Sequence, residues 1–224
     1  YTGEAFYNYY SGFLAFMLFL GKVFLTTLSY AASVKNIRYK EIIFEMNESA
    51  LKALGIIALT SFLVGLVIAY QSAFQLKIYG ANIFIVDMLG ISIFRELAPL
   101  MTAIVIAGRS GSAFTAQIGA MKITEELDAM RTMGFDPYLF LVLPRIIALM
   151  ITMPLLIFVA DIMGILGGII VSYIDLGISA SLFIERLNEV VAPKHFFIGL
   201  IKGPFFAFLI ASIGVYRGLM VKND

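Results

Sequence analysis

The chain has 224 residues, 61% of them hydrophobic and only 14% charged, and its mean hydropathy is +0.95, whereas soluble domains carry about a quarter charged residues. An ordinary soluble globule and a disordered chain are both excluded. The 16 basic residues against 15 acidic leave no surplus charge for a nucleic acid, zero Cys excludes disulfides and thiolate chemistry, and a single His excludes a His-cluster metal site.

A membrane span takes about 20 mostly apolar residues. Residues 12–34 are apolar enough to span, but Lys22 stands at their centre. A helix lying in the interface with Lys22 snorkelling is the preferred reading. Residues 54–79 form the first clear span, charge-free until the exit Lys77-Ile78-Tyr79-Gly80. Residues 83–109 form the second, with Asp87 near its start and Arg95-Glu96 near its middle. Residues 144–174 form the third, entered through Pro144-Arg145, and 195–217 the fourth, interrupted by Lys202-Gly203-Pro204. The expected fold is an all-α membrane protein, a single permease-like domain over 1–224.

Basic residues set the orientation. Lys35, Arg38, Lys40, Lys52, Arg109, Lys122, Arg131, Arg145, Arg217 and Lys222 fall on one side, against Lys77, Arg186, Lys194 and Lys202 on the other. The first set marks the cytoplasmic side, with both chain ends there.

Between the second and third spans, residues 117–134 read as a cytoplasmic coupling region. Thr124 is placed to cap a short helix, with Glu125 and Glu126 in its first turn. Ile123, Leu127 and Met130 fall on one face, while Gly134 and Pro137 end the helix. A membrane subunit that receives force from a separate ATPase needs such a knob. The order Glu126, Gly134, Leu143-Pro144 matches the pattern of many ABC importers. The bland alternative is an amphipathic helix resting on the membrane surface.

Two longer stretches carry a resemblance. Ser92-Ile93-Phe94-Arg95-Glu96-Leu97-Ala98-Pro99 runs into Ala107-Gly108-Arg109-Ser110-Gly111-Ser112-Ala113-Phe114-Thr115-Ala116-Gln117-Ile118-Gly119, and then Thr124-Glu125-Glu126. With Asp136-Pro137 and Ala160-Asp161-x-x-Gly164-x-x-Gly167-Gly168, this resembles the MlaE family of permeases, from about residue 47 to 217. The family forms the homodimeric membrane core of an ABC-type lipid transporter. The resemblance implies separate ATPase subunits on the cytoplasmic side, sometimes with a small accessory subunit, and MCE-domain proteins on the far side. Phospholipid is the implied substrate. It implies an ATPase contact at Thr124, Glu125, Glu126, Leu127, Asp128, Met130 and Arg131, and a lipid cavity near Tyr79, Arg95 and Glu96. Gln117 departs from the Glu common in the family. The family pattern has a fifth span after 217, so four spans and the interfacial helix are expected here. The implied setting is a bacterial inner membrane.

No Gly-x-x-x-x-Gly-Lys-Ser/Thr loop occurs, so ATP and Mg belong to the partner and the chain is expected to be no enzyme by itself. Charge inside a membrane costs about 2.5–3.5 kcal/mol per residue even on insertion scales. Arg95 and Glu96 therefore face a polar cavity, a head group, or an ion-pair network with Asp87 or a second protomer. Gly108, Gly111, Gly164 and Gly168 are expected to pack helices, with Asp161 hydrogen-bonded across that seam or facing water. An ion-coupled secondary transporter using Asp87, Glu96 and Asp161, or a membrane scaffold, are the rival functions. A Ser110–His195 protease is excluded by their placement at opposite sides.

Overall fold

The computed structural model describes residues 2–32 and 39–221; Lys35, Arg38 and Lys222 lie outside them. The described residues are almost wholly helical. Helix α1 spans Thr2–Ala32 and α2 spans Tyr39–Tyr79. Helices α3 (Phe84–Ser92), α4 (Ala98–Ile106) and α5 (Ser112–Ile123) form one continuous rod, joined by π-helical turns at Ile93–Leu97 and Ala107–Gly111. The short α6 is Glu126–Thr132. A π turn at Tyr138–Val142 leads into α7 (Leu143–Leu176), followed by α8 (Ala180–Val190) and α9 (Pro193–Leu219).

Several boundaries differ from the sequence reading. Helix α2 begins well before the first apolar span, because 39–54 hold good helix formers without Pro or Gly and the Glu48–Lys52 pair supports one face. It ends at Gly80, whose φ of 65° suits glycine. The second rod does not end at Arg109. The π turn absorbs Gly108 and the helix runs to Ile123, so 117–123 belong to this rod rather than to a separate coupling element. Among the described residues five helices are long and apolar enough to cross a membrane: the four expected spans and α1 over Tyr10–Thr27, where the sequence is also apolar enough to span. Helix α1 touches the bundle through Phe16 on Tyr216 and Phe19 on Tyr138 and Tyr216. Lys22 Nζ sits 4.1 Å from the Tyr138 ring centroid, a cation–π contact that gives the charge a partner.

Close backbone approach sets the order of the bundle. Helix α2 lies on α7, where a Cβ on Gly65 would strike the Gly164 carbonyl and one on Gly167 would meet Phe62 O at 2.5 Å. Helix α9 crosses α7 where Gly203 meets Pro154 and Ile157, and crosses the second rod where Gly199 meets the Phe94 carbonyl and Gly214 meets Gly111. Such contacts are how membrane helices gain dispersion energy when lipid is as apolar as the side chains. Thr115 Oγ1 donates to Gly214 O at 2.8 Å, and Lys122 Nζ to Leu219 O at 2.5 Å. Together with the Glu45–Arg145–Gln117 contacts, this gathers the start of α2, the end of α5, the start of α7 and the end of α9 at one end of the bundle.

Helix α8 lies at the other end and was not expected from the sequence. Ser179 Oγ caps it by accepting from Leu182 N at 3.3 Å. Phe183 is fully buried beneath it near Gly168. Arg186 donates twice to Asp87, each bond 3.1 Å. Asp87 is thus the partner of α8, not of Arg95 or Glu96. Asp87→Asn removes the charge and one of the two acceptors, leaving Glu189 at 3.8 Å as the carboxylate nearest Arg186 among the described residues. It is expected to lower stability in detergent by about 1–3 kcal/mol, read as earlier thermal unfolding, with Asp87→Glu losing less.

Candidate functional site: a charged cluster inside a span

The π turn Ile93–Leu97 carries Arg95 and Glu96. Π turns change the helical phase locally and gather at functional sites. Here the phase change brings both side chains to one surface. Arg95 Nε lies 3.4 Å from Glu96 Oε1, although an ideal α-helix sets adjacent residues about 100° apart. The third member is Lys202 of α9, whose Nζ donates to Glu96 Oε2 at 2.7 Å and to the Arg95 carbonyl at 2.8 Å. That carbonyl is available because Pro99, four residues on, has no N–H to give it. Gly199 on the Phe94 carbonyl brings α9 close enough for Lys202 to reach. Lys202 was noted in the sequence only as an interruption. A lysine beside a proline inside an apolar span was the signal that it belonged to a site.

The cluster is paired yet open. The side chains of Arg95, Glu96 and Lys202 are 47%, 61% and 31% exposed. One net positive charge and several unfilled acceptors and donors thus face outward from the middle of the bundle. Tyr79 is exposed at the far end of α2, and among the described residues no hydrogen bond joins it to the cluster. Asp161, on α7, is 1% exposed, and neither carboxyl oxygen has a hydrogen-bond partner among the described residues. The expected bond across the glycine seam is not made.

At the other end, Thr124 does not cap α6. Its Oγ1 lies 3.1 Å from Ala120 O and 3.0 Å from Glu126 Oε1, alternative acceptors for its one proton, and its backbone N–H bonds Ala120 O, so it finishes α5. Glu125 occupies the cap position with φ 59°, making a sharp left-handed corner between α5 and α6. The expected ridge shrinks accordingly: Leu127 is buried and Met130 half-buried, but Ile123 is exposed on α5. Glu125, Glu126, Asp128 and Arg131 are exposed, with Arg131 paired to Asp128 at 3.0 Å. Gly134, at φ 83°, closes the helix. The result is a short charged knob pinned by one leucine.

Gly111, Gly164 and Gly168 each meet a neighbouring helix, whereas a Cβ on Gly108 would meet nothing within 4 Å among the described residues. The role expected of Gly108 is corrected accordingly, since it is exposed in the second π turn. Ser110 and His195 are far apart. Gly111 packs at Gly214, 19 residues along α9 from His195, or roughly 28 Å at 1.5 Å per residue.

The fold and this cluster define an integral membrane protein that carries a charged cluster on the surface of an apolar helix bundle. The family model described as Permease MlaE matches residues 42–224, and the chain belongs to that family. It is 36% identical over 166 residues to a probable ABC transporter permease protein of Rickettsia prowazekii (strain Madrid E), covering 74% of this chain and 64% of that relative. A probable ABC transporter permease protein of a Synechocystis species is 36% identical over 199 residues, 89% of this chain and 74% of the relative. The intermembrane phospholipid transport system permease protein MlaE of Haemophilus influenzae is 33% identical over 175 residues, 78% of this chain and 67% of the relative. The chain therefore spans about two-thirds of the length of these relatives.

Proposed function

We propose that this chain is the membrane subunit of an ABC-type phospholipid transporter, acting as one permease domain and driven by a separate ATPase. The observation that carries the reading is the Arg95–Glu96–Lys202 cluster, exposed on the bundle surface within a span. Bare charge against hydrocarbon is costly, so the surface needs a polar occupant. A phospholipid head group supplies both a phosphate and hydrogen-bonding oxygens. The cluster thus lines a lipid cavity, closed on its other side by a second copy of the chain. Tyr79 marks the outer mouth of that cavity, where an MCE-domain partner receives or delivers lipid. The exposed charged face of α6 seats in the ATPase, which holds the ATP and Mg and carries any small accessory subunit. A bacterial inner membrane is the proposed location.

Detergent-solubilised native membranes, purified through a tag on this chain, test the reading. Co-purification of an ATPase with a phosphate loop, an MCE protein and phospholipid supports it. A chain recovered without ATPase or lipid overturns it in favour of a scaffold or an ion-coupled carrier. Glu126→Lys reverses one exposed charge without touching Leu127. It is expected to cut the co-purifying ATPase by about tenfold, or roughly 1.4 kcal/mol of interface energy, at unchanged abundance of the chain.

A further inference from the structure

Arg145 stands at the start of α7 with its side chain only 9% exposed, against Glu45 of α2 at 16%. Its Nε donates to Glu45 Oε1 at 3.1 Å, and its Nη2 donates to Gln117 Oε1 of α5 at 3.0 Å. The guanidinium carbon lies 5.5 Å from the Phe114 ring centroid, also on α5. Nη1 has no partner among the described residues, so two hydrogen bonds and one ring carry the contact. One planar group thus joins three helices at the α6 end of the bundle.

The connectivity gives this joint its meaning. Gln117 and Arg145 bracket the whole excursion that contains α6. Any force on α6 arrives at these two anchors, and the guanidinium clamps them together. The same group holds α2. From Glu45 to Tyr79, α2 runs 35 residues without a proline or a π turn, about 51 Å of uninterrupted helix. Apart from α1, which reaches the bundle through Phe16, Phe19 and Lys22 and takes no part in the Arg145 joint, the other long helices are interrupted: the second rod by two π turns, α7 by Pro154, and α9 by Pro204. Bending concentrates at such sites. Helix α2 is therefore the stiffest path from the α6 end to the opposite end. Its zipped contact at Gly65, Gly164 and Gly167 makes α7 travel with it.

The two ties differ in strength. Arg145 to Glu45 joins opposite charges, while Arg145 to Gln117 joins a charge to a neutral amide, the weaker kind of bond. Under load, the tie to α5 yields first. We infer that Arg145 is a positioning residue that transmits displacement of α6 to α2, with α5 sliding against a unit formed by α7 and α2. The inference rests on the ATPase-driven reading above.

The test uses the complex purified from native membranes and reconstituted in phospholipid vesicles. ATP hydrolysis and transfer of a fluorescent phospholipid are measured together. Arg145→Lys keeps the charge but replaces the rigid planar fork, whose Nε and Nη2 bond different helices, with a single ammonium nitrogen. It is expected to retain ATPase association and hydrolysis within about twofold while lipid moved per ATP falls roughly fivefold. Gln117→Leu keeps Arg145 and Glu45 intact and removes the tie to α5. It is expected to lower lipid moved per ATP, again with hydrolysis preserved, and it serves if Arg145→Lys does not accumulate. The exchange Glu45→Arg with Arg145→Glu is expected to recover part of the lost ratio. Loss of transfer in step with hydrolysis or abundance in both single variants would make Arg145 a structural residue only. Absence of ATPase from the unaltered chain would instead bring down the permease reading, and this inference with it.

Discussion

Glu96→Ala is expected to lower phospholipid transfer by between ~10- and ~100-fold while the amount of chain in the membrane stays within about twofold. The substitution removes the only carboxylate of the cluster and leaves Arg95 and Lys202 as neighbouring cations. An unpaired charge in a span costs about 2.5–3.5 kcal/mol, roughly a hundredfold in an equilibrium that needs that surface occupied. The fold does not depend on this pair, because α9 is held by Gly199, Gly203 and Gly214 against backbone and by Thr115 on Gly214 O. Lys202 also keeps its bond to the Arg95 carbonyl. Lys202→Met is the milder change, since Glu96 retains Arg95 at 3.4 Å. Transfer of labelled phospholipid by reconstituted protein, set against immunoblotted abundance, reads the outcome. Equal loss of transfer and abundance in Glu96→Ala would assign the cluster to holding the bundle together.

Gly65→Leu is expected to prevent accumulation of folded protein, while Gly55→Leu in the same helix is tolerated. At Gly65 even a Cβ falls on the Gly164 carbonyl, so α2 and α7 must part. Overpacking of this kind costs about 1–3 kcal/mol when side chains can give way. Here the obstacle is backbone, so the loss lies at or above the top of that range. At Gly55 a Cβ meets nothing within 4 Å, and Leu is a better helix former by about 1 kcal/mol. The monodisperse fraction in mild detergent, with thermal unfolding of what survives, separates the two. A Gly65→Leu protein as stable as Gly55→Leu would mean that the α2–α7 seam is not where the bundle is held.

Much of the architecture was legible because the membrane imposes length and composition directly. The charge-free run after residue 54 and the apolar stretches around 83, 144 and 195 each marked a helix in the observed bundle. The family pattern around Arg95-Glu96 and Ala107-Gly108-Arg109 was equally legible as residue identity. Helix ends were less so. Thr124 looked like an N-cap, yet its hydroxyl turned back to Ala120, and Glu125 took the left-handed corner instead. Local sequence offers both arrangements, and the geometry of the preceding rod selects one.

What the sequence determined by itself was an all-helical membrane chain, the approximate position of its spans and the residues of its family motif. Hydrophobic run length and net charge suffice for the first two, because they act through the solvent rather than through particular partners. The tertiary structure alone decided the pairings. It gave Asp87 to Arg186 on an unforeseen helix, Glu96 to Lys202, and Arg145 to Glu45 and Gln117. Each links residues 28 to 106 positions apart. Such contacts depend on which helix faces which, and that is set by glycine seams and π turns whose phase a periodic pattern does not encode.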